Sequence, residues 1–299
     1  MRGMTAVAGV VLAGGRSRRM GTSKAWLEWH GSTLLRRVTG IVARAVDGPV
    51  IVVRGPDQPL PPLAPGVQVR DDPTAGLGPL QGLAVGLAAA APAAAAFVCS
   101  TDMPLLHPAL VRRVVRALDA GADVALPVAR GRLQPLAAAY RPALAATITR
   151  WLARGDRRLT LVVERSTARI LQPADLLADP VLAAVDPGLM SLHSLNRHDE
   201  YVAARARPAP LVTVVCGTAA PGSGGRCRVR AATVAGAAAG AGVALDRARV
   251  RLDGVPADDG ETPLVDGDVV VVTGTAGSGR EGRQGPARRA EHGDGEGVA

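Results

Sequence analysis

Aromatic residues are nearly absent from this chain, with one Phe, two Tyr and three Trp in 299 residues. That scarcity excludes an aromatic core, and it excludes a single-strand nucleic-acid reader, which needs rings on which bases stack. Cysteine is scarce too. Cys99, Cys216 and Cys227 lie far apart with no C-x-x-C pair, so neither a zinc site nor a disulfide framework is indicated, and reduced thiols in a cytoplasmic protein are expected. Long apolar runs are missing. Ala6 to Leu12 is too short to cross a bilayer and has no cleavage-site pattern, while Leu83 to Ala96 is rich in small residues and interrupted by Pro92. No membrane partner is expected. The formal charge of +9 invites a polyanion reading, but no DNA-reading motif accompanies it. Small polyanionic substrates account for the charge as well, and no nucleic-acid partner is expected. Lysine is the sharpest absence: of 35 Lys plus Arg, Lys24 alone is lysine.

What the chain has instead is Ala and Val within a hydrophobic content of 47%. Small aliphatic side chains suit helices packed on a buried, mostly parallel sheet. The length allows two domains, one large and one small. The chain is organised around Leu12 to Lys24, L-A-G-G-R-S-R-R-M-G-T-S-K, directly after the apolar run Ala6 to Val11. That order predicts a buried strand ending in a glycine-rich cationic loop. Gly14, Gly15 and Gly21 let phosphates approach backbone N–H groups, and Arg16, Arg18, Arg19 and Lys24 supply positive charge. The bland alternative is an ordinary strand-to-helix turn facing water. A Walker A loop is ruled out because Thr22 and Ser23 separate Gly21 from Lys24, and the loop has no G-x-G-x-x-G. Retention of one ammonium in an arginine-biased chain favours a tight phosphate pocket, since a point charge and a planar fork are not interchangeable.

Further along, a helix capped by Ser32 and running through Val46 is predicted, then strands at Val50 to Val53 and Val67 to Val69. Asp71 to Gly82, D-D-P-T-A-G-L-G-P-L-Q-G, reads as a turn with two carboxylates opening a helix to about Ala91, with Pro79 in its first turn. Ala95 to Ser100 reads as a strand running into Thr101-Asp102-Met103-Pro104. A carboxylate at the carboxyl end of a parallel strand sits where open α/β sheets bind ligands and suits Mg²⁺ shared with phosphates. The plain alternative for Asp102 is a turn or cap before a helix Ala109 to Ala120. Strands at Val124 to Pro127 and Leu133 to Tyr140 and a helix Pro142 to Ala153 complete this half. Arg157 and Arg158 face either an acceptor phosphate or water.

The loop resembles the signature of the MobA-like nucleotidyltransferases, L-A-G-G-x-S-x-R-M-G-x-x-K, at every fixed position. The resemblance implies a Rossmann-like three-layer domain over residues 1–205. It implies nucleotide contacts from Leu12, Ala13, Gly14, Gly15 and Lys24, with Arg19 and Lys24 on the phosphates. Gly78, Pro79 and Leu80 match the family's G-P-L-x-G segment, which shapes the base and ribose pocket, with Asp71, or failing it Asp72, as the accompanying carboxylate. Asp102 matches the metal-binding Asp. Gln134 matches a Q-P-L segment, with acceptor binding or plain sheet structure as its role. Asn196, the single asparagine, matches the second Asn of N-x-N-T-P-E-D. Ser194 replaces the first, and Arg197-His198 replace Thr-Pro; His198 reads as a surface residue at a helix start. The implied activity is transfer of GMP from Mg²⁺-bound GTP to the phosphate of molybdopterin, or Mo-molybdopterin, in cooperation with other molybdenum cofactor biosynthesis proteins. L-A-G-G rather than L-A-A-G points to guanine over cytosine. A CTP-dependent or other-acceptor transferase, and a non-catalytic nucleotide-binding scaffold, stay open as alternatives.

Residues 206–210 read as a linker. Beyond them strands at Leu211 to Cys216, Cys227 to Val229, Ala248 to Leu252 and Val269 to Thr273 surround a helix Thr233 to Ala241. This ββαββ order resembles a β-grasp, ubiquitin-like sulfur carrier of the molybdopterin synthase small-subunit type over residues 211–279. Carriers end in Gly-Gly, whereas Gly277-Ser278-Gly279 is interrupted and followed by a tail, so an interaction module is the expectation. The Gly-rich, mixed-charge stretch 280–299 is expected to be disordered.

Overall fold

The opening strand β1 (Val7–Leu12) lies in the interior of the largest sheet in the computed structural model, which describes residues 6–14, 23–74, 76–118, 121–217, 225–245 and 248–274. A hairpin of β2 (Glu28–Trp29) and β3 (Ser32–Thr33) leads into α1 (Leu34–Ala43). Next come β4 (Val50–Arg54), β5 (Gln68–Asp71), α2 (Pro79–Ala90), β6 (Ala95–Ser100) and α3 (Pro108–Arg116). They are followed by β7 (Val124–Ala129), β8 (Arg132–Leu133), β9 (Ala137–Tyr140) and α4 (Leu144–Ala153). Short elements then follow: α5 (Leu161–Glu164), β10 (Ala168–Leu171), α6 (Pro173–Leu177), α7 (Pro180–Val185) and α8 (His198–Arg205).

The large sheet runs β10-β7-β9-β6-β1-β4-β5, with β8 attached to β7. It is mostly parallel; β9 alone along this row runs against its neighbours β6 and β7. Because successive side chains on a buried strand point to opposite faces, the core divides in two. Val11, Val52, Phe97 and Cys99 meet α1 and α3 on one face, whereas Val10, Ile51, Val53 and Val98 meet α2 and α4 on the other. Gly86 shows why the helix α2 is small-residue-rich: a Cβ there would stand 2.4 Å from Val10 Cγ1. The mostly parallel three-layer α/β architecture is thus as expected.

Several boundaries differ from the sequence reading. Ser32 belongs to the hairpin and Thr33 caps α1, its hydroxyl accepting from Arg36 N at 3.2 Å. The helix ends at Ala43 rather than Val46, and α3 ends at Arg116 rather than Ala120. The expected strand Leu133 to Tyr140 is broken in two, since Pro135 has no N–H to give a ladder.

The separate C-terminal sheet is built from β11 (Leu211–Gly217), β12 (Gly225–Arg230), β13 (Ala248–Leu252), β14 (Val255–Pro256) and β15 (Val269–Gly274), with α9 (Val234–Gly240) between β12 and β13. Its order is β12-β11-β15-β13-β14, and β11 and β15 are parallel at the centre. Val212, Val214, Val250, Leu252, Val270 and Val272 are buried in its core.

Two arginines of α1 and Arg44, which caps its end, fix this sheet to the larger unit. Arg36 pairs with Asp259 and, at 2.9 Å, with Glu261. Arg44 clasps Asp268 with both terminal nitrogens, at 2.7 and 2.8 Å, and reaches Asp253 at 3.2 Å. The buried Arg37 donates to the carbonyls of Pro104 and Leu264. Burial, assisted by the like charge of Arg44, pushes its guanidinium down to about 10, so it stays charged at neutral pH. Between these prongs Gly40 receives Pro263, and a Cβ on Gly40 would lie 2.4 Å from Pro263 Cδ.

Candidate active site

Three strand registers bring the candidate residues to one rim. Leu12 pairs with Ser100 on β6 and with Val53 on β4, and Arg54 pairs with Asp71 on β5. The carboxyl ends of β1, β4, β5 and β6 therefore coincide. The chain leaves β1 for β4 on one side and later returns to β6 on the other, which makes β1 a topological switch point where crevices form in such sheets.

Across that crevice Lys24 Nζ meets Asp102 Oδ2 at 2.7 Å, although 78 residues separate them. Ser100 Oγ donates to the other carboxylate oxygen. Asn196 closes the third side, with its Oδ1 3.4 Å from Lys24 Nζ. The backbone carries it there, since Leu195 N donates to Asp102 O at 2.8 Å. Ser194 Oγ accepts from Asn196 Nδ2 at 3.0 Å. The serine that departs from the expected motif is thus the group that orients the asparagine. Glu200 caps the start of α8 by accepting from the N–H groups of Asn196 and Arg197. His198 is exposed, as expected. Asp102 does not cap α3; His107 does, through Nδ1.

Gly14 departs from its expected role. Its N–H goes to Val53 O at 3.2 Å, beside that of Ala13 at 2.8 Å, so it is not directed at a ligand in this form. Glycine favours a close approach of the backbone here: a Cβ would stand 3.3 Å from Gly55 N, a tight contact. Gly15, Arg16, Arg18, Arg19 and Gly21 lie outside the described residues. Leu12 and Leu80 bury their side chains in the core, which leaves only their backbone to a ligand. Gly78 precedes α2 with φ 83°, a conformation that suits glycine, and Pro79 opens the helix. The positive end of α2 therefore points to the rim. Asp71 is exposed at the end of β5 and ion-paired with Arg54 at 2.6 Å. Asp72 instead accepts from Gln81 Nε2 at 2.5 Å, inside the first turn of α2. Gln134 lies at the same rim, but its amide donates to the carbonyls of Ala129 and Arg132 within the β7–β8 hairpin. Arg157 donates to Leu152 O and Asp156 O, and Arg158 pairs with Glu164 at 3.4 Å.

Two contributors carry no sequence signal that would have singled them out. Gln58 donates to Ala13 O at 3.0 Å and Ser23 Oγ at 3.3 Å, while its Oε1 accepts from Gly55 N. One amide thereby ties together both ends of the cationic loop. Thr101 returns its hydroxyl and its N–H to Leu12 O, locking β6 to β1 one residue before Asp102.

A model of the MobA-like NTP transferase domain matches residues 9–170, a span that holds Lys24, Asp102 and the rim between them. The chain belongs to the MobA-like NTP transferase family. It is accordingly a nucleotidyltransferase. It is 46% identical over 171 residues to a probable molybdenum cofactor guanylyltransferase of Mycobacterium marinum, covering 55% of this chain and 83% of that one. To the probable molybdenum cofactor guanylyltransferase of Mycobacterium tuberculosis it is 43% identical over 174 residues, covering 56% and 85%. Among solved structures, molybdopterin-guanine dinucleotide biosynthesis protein A from Archaeoglobus fulgidus shares the fold, with a TM-score of 0.54 at 21% identity over 66% of this chain and 96% of that one. Among the described residues, no helix of this MobA-like transferase is long and apolar enough to cross a membrane.

Proposed function

We propose that this MobA-like transferase moves GMP from GTP to the terminal phosphate of molybdopterin, with or without its metal, and releases pyrophosphate. The observation that carries the proposal is the meeting of Lys24 and Asp102 across the β1–β6 crevice, an ammonium and a carboxylate held where a nucleotide's phosphates enter. In the reaction an acceptor phosphate oxygen forms a bond to the α-phosphorus of GTP as the bond from that phosphorus to the bridging oxygen breaks. The leaving group departs as pyrophosphate. A phosphate monoester has its second pKa at about 6, so at neutral pH the nucleophile is already ionised and no general base is needed. Catalysis then consists of positioning and charge neutralisation.

The donor set suits Mg²⁺. Asp102 offers a hard carboxylate with a hydroxyl neighbour in Ser100. No group of three or more His, Cys, Asp or Glu that could hold a metal occurs among the described residues. One carboxylate completed by phosphates and water is how magnesium is usually held, whereas a dedicated cage suits calcium or zinc. Bound there, Mg²⁺ would offset phosphate charge. Lys24 contributes a compact cation to the phosphates, and Arg19, five residues earlier in the sequence, is assigned the same task. The start of α2 at Gly78 and Pro79, with Asp71 or Asp72, frames the base and ribose. Asn196 stands on the acceptor side.

The catalytic unit is taken as residues 1–205, joined by 206–210 to a β-grasp module over 211–279, in a cytoplasmic protein that works beside other cofactor-assembly proteins. The parallel central pair β11–β15 and the single helix on one face support that description of the module. The deciding experiment mixes the full chain with Mg²⁺, molybdopterin and either GTP or CTP, and measures pyrophosphate. Release with GTP alone is expected. Exclusive use of CTP overturns the guanine assignment, and no release with either nucleotide, using an acceptor that a known guanylyltransferase consumes, favours a non-catalytic scaffold.

A further inference from the structure

The C-terminal sheet buries one face and leaves the other open. On the open face the registers align a row across four strands, Arg226–Val215–Val271–Arg251. One step along the strands, Arg228, Thr213 and Val269 align, and on the other side Arg249 stands opposite Thr273. Thr213, Val215, Val269 and Val271 are half-buried, and the four arginines are exposed. The result is an apolar floor with guanidinium rows along both sides. A hollow of about 580 Å³ opens over Leu211, Thr213, Arg226 and Arg228. Asp266 is the carboxylate at its edge, and one of its oxygens already accepts from Leu211 N at 2.8 Å. Arg251 donates to Gly254 O in its own hairpin. The guanidinium groups of Arg226, Arg228 and Arg249 have no hydrogen-bond or ion-pair partner among the described residues.

We infer that this face is a docking surface for an acidic amphipathic helix of a partner protein, one with an apolar stripe flanked by carboxylates on both sides. Charge complementarity sets the sign of the partner, and the valine floor sets its stripe. The width fits. Arg226 and Arg251 are three strand spacings apart, about 14 Å at about 4.8 Å each, and a helix with its side chains is about 10–12 Å across. A nucleic-acid strand fits less well. It gains nothing from a valine floor, and no aromatic residue occurs after Tyr201 on which a base could stack.

The test uses the full chain and a fluorescent synthetic helix with a leucine stripe flanked by glutamates. Its comparators are a scrambled peptide of the same composition, a single-stranded DNA 20-mer and vesicles of anionic lipid. Binding of the amphipathic peptide at least tenfold tighter than the scrambled one is expected. Arg226→Glu with Arg251→Glu should weaken it at least tenfold, and so should Val215→Asp, with circular dichroism and pyrophosphate release unchanged. The milder Arg226→Ala, expected to weaken binding about threefold, keeps the test decisive if Val215→Asp disturbs the sheet. Equal affinity for the two peptides, tighter binding of the DNA or the vesicles, or charge-reversed variants that bind like the parent would overturn the inference. Because pyrophosphate release is measured separately, failure here is distinguishable from failure of the proposed transferase chemistry.

Discussion

Replacing Lys24 by alanine separates a structural role from a catalytic one. The ammonium and Asp102 are 2.7 Å apart, with side chains 20% and 12% exposed. Removing one partner of a fully buried pair costs about 3–5 kcal/mol. Solvent reaches this pair and Ser100 continues to donate to Asp102, so a loss of about 1–2 kcal/mol in folding stability is expected. Against the usual reserve of about 5–15 kcal/mol the variant stays folded. Turnover should fall much further. The loss of one preorganised electrostatic contact to a developing charge costs about 10²–10³ in rate, or roughly 3–4 kcal/mol. Lys24→Arg keeps the charge but offers a wide planar fork in place of a point, and should recover stability without recovering rate. The assays are urea denaturation and pyrophosphate release at saturating GTP and Mg²⁺. Turnover of Lys24→Ala within threefold of the parent, or a rate loss no larger than the stability loss, would refute the reasoning.

Three further outcomes follow from named contacts. His107 accepts Ala109 N through Nδ1, and burial, followed by the nearby Arg44, pushes its pKa down to about 4 from about 6.5. Between those values the unfolded chain binds more protons. Stability is therefore complete above about pH 6.5 and declines as pH falls towards 4, by about 3 kcal/mol for the full shift and about 1–2 kcal/mol once solvent screening of the half-buried ring is allowed for, a slope that His107→Asn should flatten in urea titrations at several pH values. Arg44→Ala leaves the Asp268 carboxylate, only 5% exposed, without its clasp, and should cost about 3 kcal/mol, read as a lower denaturation midpoint. Gln58→Ala releases both ends of the cationic loop and forfeits about 1–2 kcal/mol of bridging hydrogen bonds. The KM for GTP should rise roughly tenfold with the fold intact, by the same relation between energy and equilibrium.

Local pattern carried much of this molecule. The strand Ala95–Ser100 and the helix opened by Pro79 were legible because apolar runs and a first-turn proline act within a few residues. Lys24 and Asp102 were legible as types in a motif, and the strand order then placed them together. Thr33 displaced Ser32 as the cap of α1 because the helix starts at Leu34, one residue later than a cap at Ser32 would require. The edge strand Ala168–Leu171 and the short helices around it escaped notice, since exposed residues such as Arg169 and Ile170 blur the apolar period. Gly14 was read as a phosphate donor, but its N–H is held by a carbonyl of β4, a partner that no spacing along the chain announces. The α1 clamp was equally invisible, because Arg36 and Arg44 find their carboxylates more than 200 residues away.

That clamp also sets a direction. Asp268, which Arg44 holds, immediately precedes β15, and β15 runs from Val269 at the joint to Gly274 at the far margin of the sheet. At about 3.3 Å per residue the strand carries the backbone roughly 17 Å outward. A fusion, label or tether attached after Gly274 would thus start about 17 Å from the Arg44–Asp268 contact, leaving that contact undisturbed.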